Sequence, residues 1–168
     1  MTKDKIIIYT DGAAKGNPGR AGWGAVFFYP YPASPYVGGG GKEGVIELGG
    51  SVDHATNNQM ELTAVIEALK YAKKHKFKTP IEIISDSKYV ILGITEWIFN
   101  WQKNNWRNAA KKPVLNRKLW EGLYELTKEF KIKWIYVKGH NENKYNERAD
   151  EIATSFAEEE PVELKKYK

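Results

Sequence analysis

The order of its apolar segments constrains the fold of this 168-residue chain more than any other feature. Three runs with the β-branched and aromatic composition of strands come first, at residues 5–10, 21–29 and 45–52. Two further short apolar runs, predicted as strands, lie at residues 81–84 and 132–137. Helical patterns precede, separate and follow them, at residues 56–72, 87–101, 116–129 and 149–157. Three successive strands predict a meander, and the strand–helix–strand units predict right-handed parallel crossovers. We therefore expect one α/β domain.

Two of the predicted helices begin with recognisable capping signals. Thr56 is followed three residues later by Gln59, which matches a capping box at the start of the first helix. Ser87 is a favourable N-cap for the helix after the fourth strand. These signals predict the residues at which the two helices begin.

The composition narrows the chemistry without deciding it. The net charge of +5 and the pI of about 9.2 are compatible with a polyanion partner, but also with an ordinary lysine-rich surface. The chain has no cysteine, which excludes disulfides and thiolate sites and is compatible with a cytoplasmic location. No apolar run approaches the ~20 residues of a membrane span, so we expect no membrane partner. The glycine-rich loop GAAKGNPG lacks the spacing of nucleotide-binding loops and precedes a strand, so a nucleotide cofactor is not predicted.

Four carboxylates from four separate elements could converge at one end of the sheet. Asp11 and Asp86 each follow a predicted strand, where α/β sheets usually place their sites. Glu61 lies in the first turns of the first helix, and Asp150 in the first turn of the last. Each also has an ordinary interpretation. Asp11 could be a turn residue and Glu61 a surface residue. Asp86 could cap a helix, and Asp150 could interact with a helix dipole. The spacing alone leaves both interpretations open.

Such a cluster of acids would need a cation. Buried like charges are costly and raise one another's pKa. Because the available ligands are oxygens, with no cysteine and no paired histidine, Mg²⁺ or Mn²⁺ is favoured over Zn²⁺. The sequence therefore indicates that Asp11 holds metal, and that the metal in turn holds phosphate.

A second region, residues 97–120, combines positive charge with aromatic rings. It contains six basic residues and no acid, together with four of the six tryptophans. The members are Lys103, Arg107, Lys111, Lys112, Arg117 and Lys118, with Trp97, Trp101, Trp106 and Trp120. This combination favours contact with a nucleic-acid backbone. Packing between the two flanking helices is the alternative role for some of the tryptophans.

Five motifs, in this order, resemble the bacterial type 1 ribonucleases H over essentially the whole chain. They are YTDGAAKGNPG, TNNQMEL, SDSKYV, WIFNW followed by KKPVLN, and VKGHNENKYNERADEIA. The resemblance implies a ribonuclease H-like fold, with a five-stranded mixed sheet of order 3-2-1-4-5 flanked by helices. It also implies endonucleolytic hydrolysis of the RNA strand of an RNA–DNA hybrid, leaving 3′-hydroxyl and 5′-phosphate ends.

The resemblance implies catalytic roles for particular residues. The metal-binding acids of the family fall on Asp11, Glu61, Asp86 and Asp150, the same four residues chosen above. Two Mg²⁺ ions would bracket the scissile phosphate, one acidifying the attacking water and the other stabilising the leaving 3′-oxygen. His140 matches the family's loop histidine, implied to assist proton transfer and product release. Without the resemblance, it would be an ordinary surface histidine.

The resemblance implies substrate contacts as well. Short amide side chains suit the 2′-hydroxyls that distinguish a hybrid from duplex DNA, and the matching residues are Asn17, Asn57 and Asn58, with backbone near Gly12. Turn and cap chemistry is the ordinary role of such asparagines. A pocket for a DNA-strand phosphate falls on Thr56 and Asn116, together with Asn17. Trp97 matches the DNA channel, and residues 101–116 match a basic protrusion that includes Trp101, Trp106, Lys111 and Lys112.

The domain limits follow from the same comparison. The catalytic domain should span residues 1–158, followed by a charged and flexible tail at residues 159–168. Glu142 stands where the family usually has a glycine, and the loop at residues 30–42 is longer than usual, with no function assigned. We expect a monomer. A related nuclease acting on DNA junctions and a non-catalytic hybrid-binding module are the competing functions.

Overall fold

The computed structural model describes residues 5–29, 44–139 and 142–165. Five strands form a single sheet in the order β3-β2-β1-β4-β5. β1, β2 and β3 are antiparallel neighbours, and β4 and β5 continue the sheet in parallel with β1. The strands are β1 (Ile6–Ala14), β2 (Gly19–Tyr29), β3 (Gly44–Ala55), β4 (Ile81–Ser85) and β5 (Ile132–Tyr136). The predicted fold class and strand order are confirmed.

The helices follow the predicted order along the chain. They are α1 (Asn57–Lys74), α2 (Lys88–Leu92), α3 (Ile98–Lys103), α4 (Arg117–Thr127) and α5 (Lys144–Ala157). The predicted capping box at the start of α1 is present, since Thr56 and Gln59 each accept a hydrogen bond from the other's backbone N–H. Ser87 caps α2 through the N–H of Val90.

One wide helical turn interrupts the segment predicted as a single helix at residues 87–101. A π-helical turn, Gly93–Trp97, lies between α2 and α3. At Gly93 the backbone approaches the Trp120 ring so closely that an added Cβ would lie 2.0 Å from it. Glycine is therefore required where this segment crosses α4.

Apolar side chains cover both faces of the sheet, because residues of a strand alternate between its faces. Ile6 and Ile8 of β1 belong to the larger cluster, with α1 and the helical segments between β4 and β5. Tyr9, the next residue after Ile8, faces the other side of the sheet and packs with Ala149 and Ile152 of α5. The sheet is thus enclosed on both sides.

Two predicted boundaries differ from the structure in ways that affect the site. Asp11 was expected just after β1 but lies within it, because β1 continues antiparallel to β2 as far as Ala14. Its parallel pairing with β4 ends at Thr10, so Asp11 is still the first residue beyond that pairing. Asp150 was expected in the first turn of α5, but the helix begins at Lys144, which places Asp150 in the second turn.

The charged tail, for which we predicted flexibility, makes specific contacts in its described part. As far as Lys165 it lies against the sheet: the Glu47 N–H of β3 donates to the Lys165 carbonyl, and the Lys165 N–H donates to Glu47 Oε1. The Glu47 side chain is fully buried and paired with Arg148 of α5, which also donates to the Glu163 carbonyl at 2.8 Å. The tail therefore satisfies polar groups that β3 and α5 bury. The loop at residues 30–42 lies outside the described residues.

Helices long and apolar enough to cross a membrane are absent from the part of the chain that the structure describes.

Candidate active site

Three of the four predicted acids meet at one end of the sheet. Asp11 comes from β1, Glu61 from the second turn of α1, and Asp86 directly follows β4. One carboxylate oxygen of each lies within 4.8 Å of the others. Because β1 and β4 are adjacent and parallel, their carboxyl ends bring Asp11 and Asp86 together, as the sheet order predicted.

A glycine allows Glu61 to join them. At Gly12, an added Cβ would lie 2.4 Å from the backbone nitrogen of Glu61, so α1 crosses β1 without room for a side chain. The N–H of Gly12 donates to Asp11 Oδ1 at 2.8 Å and orients that carboxylate. The absence of a side chain at Gly12 therefore allows α1 to bring Glu61 close to Asp11. The substrate contact predicted for the backbone near Gly12 stays a prediction beside this packing role.

Burial gives these acids unusual electrostatics. The pKa of Asp11 is raised to about 7, mainly by desolvation and also by the charges of Asp86 and Asp150, against hydrogen bonds with Glu61 and Gly12 that lower it. The pKa of Glu61 is raised well above its usual range by desolvation and by the charge of Asp11. Their mutual hydrogen bond lowers the pKa of Asp11 and raises that of Glu61.

The cluster has the properties of a divalent-metal site. Glu61 Oε2 is buried without a hydrogen-bond partner, a costly arrangement unless a cation approaches it. The ligands are carboxylate oxygens, which Mg²⁺ and Mn²⁺ prefer. A bound cation would also remove the mutual repulsion that raises these pKa values. The residues present therefore fit the predicted metal.

The remaining catalytic predictions have different outcomes. Asp150 is exposed and lies outside the three-acid cluster, but it is near enough for its charge to raise the pKa of Asp11. His140 lies outside the described residues. Its neighbour Gly139 is placed so that an added Cβ would lie 3.2 Å from Asp86 Oδ2, so the segment that follows β5 lies beside the cluster as far as Gly139.

Next to the cluster is a pocket of about 620 Å³. It lies at the start of α1, one helical turn before Glu61. Six predicted substrate residues line it: Asn17, Thr56, Asn57, Asn58, Trp101 and Asn116. Gln59, Tyr89, Asn108, Val114 and Leu115 also line it and were not predicted as site residues. No carboxylate belongs to this lining.

Backbone hydrogen bonds fix the orientation of two of the asparagines. Asn17 Oδ1 accepts from the N–H of Asn57 at 2.9 Å, and Asn57 Oδ1 accepts from the N–H of Ala14 at 2.7 Å. Because the amide oxygens face the backbone, the NH₂ groups are left as donors. The turn role and the binding role of these side chains are therefore compatible.

Comparison with known proteins identifies the family to which this site belongs. A family model described as RNase H matches residues 3–158.

The chain belongs to the ribonuclease H family.

Named ribonucleases H are similar over nearly their whole length. The ribonuclease H of Pseudomonas aeruginosa is 44% identical over 159 residues, covering 95% of this chain and 97% of the relative. That of Zymomonas mobilis is 50% identical over 157 residues, covering 93% of this chain and 91% of the relative. These matches confirm the predicted family and enzyme class: the chain is a hydrolase of the ribonuclease H type.

Solved structures support the same assignment. LC9-RNase H1, described as a type 1 RNase H with the type 2 active-site motif, superposes with a TM-score of 0.79 at 27% identity, over 95% of this chain and 75% of that one. RNase H1 from the halophilic archaeon Halobacterium salinarum gives a TM-score of 0.65 at 31% identity, over 92% of this chain and 98% of that one.

The basic protrusion of this ribonuclease H lies between α3 and α4. Its tip, which includes Lys111 and Lys112, is exposed, and Arg107 holds it closed through the Lys111 carbonyl at 3.0 Å. Arg117 is less available than predicted, because it pairs with Glu121 and lies 5.2 Å from the Trp106 ring.

The tryptophans mainly pack this region together. The Trp101 ring contacts those of Trp97, Trp106 and Trp120, with centroids 5.3–6.3 Å apart. Trp120 is fully buried, whereas Trp97, Trp101 and Trp106 keep part of their surface exposed. Packing between the helices, the alternative left open for these residues, is therefore their observed role, and Trp101 also lines the pocket.

Proposed function

We propose that this chain cleaves the RNA strand of RNA–DNA hybrids endonucleolytically by a two-metal-ion mechanism, leaving 3′-hydroxyl and 5′-phosphate ends. The observation that carries the proposal is the position of the three-acid cluster one helical turn from a pocket that offers amide and hydroxyl donors. The cluster suits a metal and the pocket suits a nucleic-acid strand. Their separation lets one duplex engage both.

In this mechanism Asp11, Glu61, Asp86 and Asp150 would hold two Mg²⁺ ions, with Mn²⁺ as a possible substitute. When bound, the metal would supply positive charge that acidifies the attacking water and stabilises the leaving oxygen. Gly12 orients Asp11 through its N–H. His140 would assist proton transfer.

The substrate residues divide between the two strands. The amide groups of Asn17, Asn57 and Asn58 would read 2′-hydroxyls of the RNA in the minor groove, which a DNA duplex lacks. Thr56 and Asn116 would hold a phosphate of the DNA strand. Trp97 would contact the DNA strand beside them. Lys111 and Lys112 of the exposed protrusion would add salt-dependent affinity for the duplex. We also infer a monomer in the cytoplasm.

A cleavage assay with end-labelled substrates tests the proposal. The protein is incubated with an RNA–DNA hybrid, single-stranded RNA, double-stranded RNA and duplex DNA, each with Mg²⁺ and with a chelator. We expect cleavage of the RNA strand of the hybrid alone, only with metal, and products whose RNA 3′ ends a polymerase can extend. Binding of the hybrid without cleavage in either Mg²⁺ or Mn²⁺ would refute the proposal, as would preferential cleavage of duplex DNA.

A further inference from the structure

A chain of hydrogen bonds runs through four side chains beside the pocket. Gln59 Nε2 lies 3.1 Å from Asn116 Oδ1, and Asn116 Nδ2 lies 3.0 Å from the Tyr89 hydroxyl oxygen. Trp120 Nε1 lies 3.1 Å from the same hydroxyl oxygen. Three of these residues, Gln59, Asn116 and Tyr89, line the pocket, and Trp120 is buried behind it.

The two ends of this chain fix its direction. At one end, Gln59 Oε1 accepts from the backbone N–H of Thr56 at 2.9 Å, and a backbone N–H can only donate. The other amide atom of Gln59 must then be its nitrogen, which donates to Asn116 Oδ1. Asn116 in turn directs its nitrogen to Tyr89. At the other end, the indole N–H of Trp120 can also only donate.

Donors therefore converge on Tyr89 from both sides. They occupy both acceptor positions of the phenol oxygen, and its own O–H is accepted by no residue in the described ranges. Asn116 uses one of its two amide N–H groups and keeps the second. Asn116 is not used to cap α4, although it occupies the N-cap position with a φ of 61°. Tyr89 and Asn116 are thus both left with a donor at the pocket.

A phosphate is the ligand that this pocket fits best. Its oxygens accept several hydrogen bonds at once, whereas the pocket lining provides free donors and no carboxylate that would repel an anion. Part of the lining is apolar, including Trp101 and Val114, which suits a sugar next to the phosphate. A nucleic-acid phosphodiester satisfies both requirements.

We propose that Tyr89 is a binding residue of this pocket, whose hydroxyl donates to a phosphate oxygen of the bound DNA strand, and that Gln59 is a positioning residue that fixes the direction of the hydrogen-bond chain. This inference rests on the proposed function. It assigns Gln59 two tasks through the two ends of one amide: the oxygen caps α1 and the nitrogen orients Asn116.

Tyr89→Phe tests the binding role. Removing one hydrogen bond to a charged phosphate should weaken binding of the hybrid about tenfold, measured by fluorescence anisotropy without divalent metal. In cleavage assays KM should rise by a similar factor while kcat stays unchanged. Tyr124→Phe is the matched control, because it removes a hydroxyl from α4 that makes no hydrogen bond in the described structure. Equal hybrid affinity of Tyr89→Phe and wild type would refute the binding role.

Gln59→Glu tests the positioning role while keeping the helix cap. A glutamate can still accept from the N–H of Thr56, so the melting temperature should not fall. It cannot donate to Asn116, whose amide should then turn over and accept the Tyr89 proton. The pocket would lose its free hydroxyl donor, and affinity should fall about tenfold or more.

A double-mutant cycle separates this effect from that of the added charge. If Gln59 acts through the hydrogen-bond chain, Gln59→Glu should cost much less affinity in the Tyr89→Phe background than in wild type. An equal cost in both backgrounds would mean that the charge alone weakens binding, and would refute the positioning role.

Hybrids with a single neutral methylphosphonate locate the phosphate. At one position of the DNA strand, replacing the charged phosphate by a methylphosphonate should weaken the binding of the hybrid to wild type. The same replacement should weaken its binding to Tyr89→Phe far less. If Tyr89→Phe loses the same affinity for every modified hybrid, the hydroxyl acts on the protein and not on a phosphate. Wild type is assayed for cleavage in parallel: failure to cut any hybrid refutes the proposed function, whereas normal cutting with equal affinities refutes only the pocket assignment.

Discussion

Because the pKa of Asp11 is raised, we predict that replacing this residue has opposite effects on activity and on stability. Asp11→Asn should abolish metal-dependent cleavage, because it removes a charged ligand from the three-acid cluster. In the absence of metal, however, the same change should stabilise the protein at neutral and alkaline pH. Asparagine keeps the shape and the acceptor for the Gly12 N–H, but it carries no charge to be buried.

The sign and the size follow from the pKa shift. Burial raises the pKa of Asp11 from 3.8 to about 7, so ionising this group costs folding free energy. The stability it contributes is complete below about pH 4 and is lost as the pH rises through 7. A shift of about three units corresponds to an upper limit of about 4 kcal/mol. Because the Asp11 and Glu61 carboxyl groups do not titrate independently, we expect about half of this, which corresponds to roughly 4–8 °C in the melting temperature of a chain of this size.

Thermal melts in EDTA and in Mg²⁺ provide the assay. In EDTA, the difference in melting temperature between Asp11→Asn and wild type should be near zero at pH 4 and should grow in favour of the variant up to pH 8. In Mg²⁺, wild type should regain stability and the variant should gain little. Asp53→Asn, at an exposed carboxylate of β3, is the control and should show neither effect. If Asp11→Asn melts below wild type at pH 8 in EDTA, the electrostatic reasoning is refuted.

Two further predictions concern the protrusion and the crossing of β1 by α1. Replacing Lys111 and Lys112 by alanine should weaken hybrid binding and reduce its logarithmic salt slope by about 1–2 units, measured by titration at several salt concentrations. Alanines at Lys131 and Lys133, near the opposite end of the sheet, are the control, and an equal change in slope there would contradict the assignment. Gly12→Ala should reduce cleavage at least 100-fold and lower the melting temperature, because its Cβ would lie 2.4 Å from the Glu61 nitrogen. Gly122→Ala, where an added Cβ meets nothing within 4 Å, should change neither, and near-normal cleavage by Gly12→Ala would show that Glu61 tolerates displacement.

The sequence indicated the acids of the cluster as candidates, because their positions depend on local signals, but the spacing alone left their ordinary roles open. Asp11 and Asp86 follow apolar runs of adjacent strands. The capping box at Thr56 sets the start of α1, and therefore the helical turn in which Glu61 lies. The depth of burial was not predictable. It depends on how closely α1 crosses β1, and the glycine at position 12 has this meaning only once the crossing is known.

The roles of Gln59 and Tyr89 show where such reasoning ends. Gln59 is identifiable as a capping residue, because its partner is three residues away. Its second partner, Asn116, is 57 residues away, and Tyr89 meets Asn116 only because α2 and α4 pack together. The direction of an amide depends on all of its neighbours at once, so periodicity and spacing contain no information about it.

The two parts of the active site share one physical property, which is that folding leaves them incomplete. The carboxylates of Asp11 and Glu61 are buried with too little positive charge, and Tyr89 and Asn116 retain donors without acceptors. Each deficit is of the kind that its ligand would remove: a cation for the acids and a phosphate for the donors. Because no side chain belongs to both sets, each ligand should stabilise the fold by mass action when it is added alone. The same separation explains why removing a carboxylate should abolish cleavage while leaving hybrid binding largely intact.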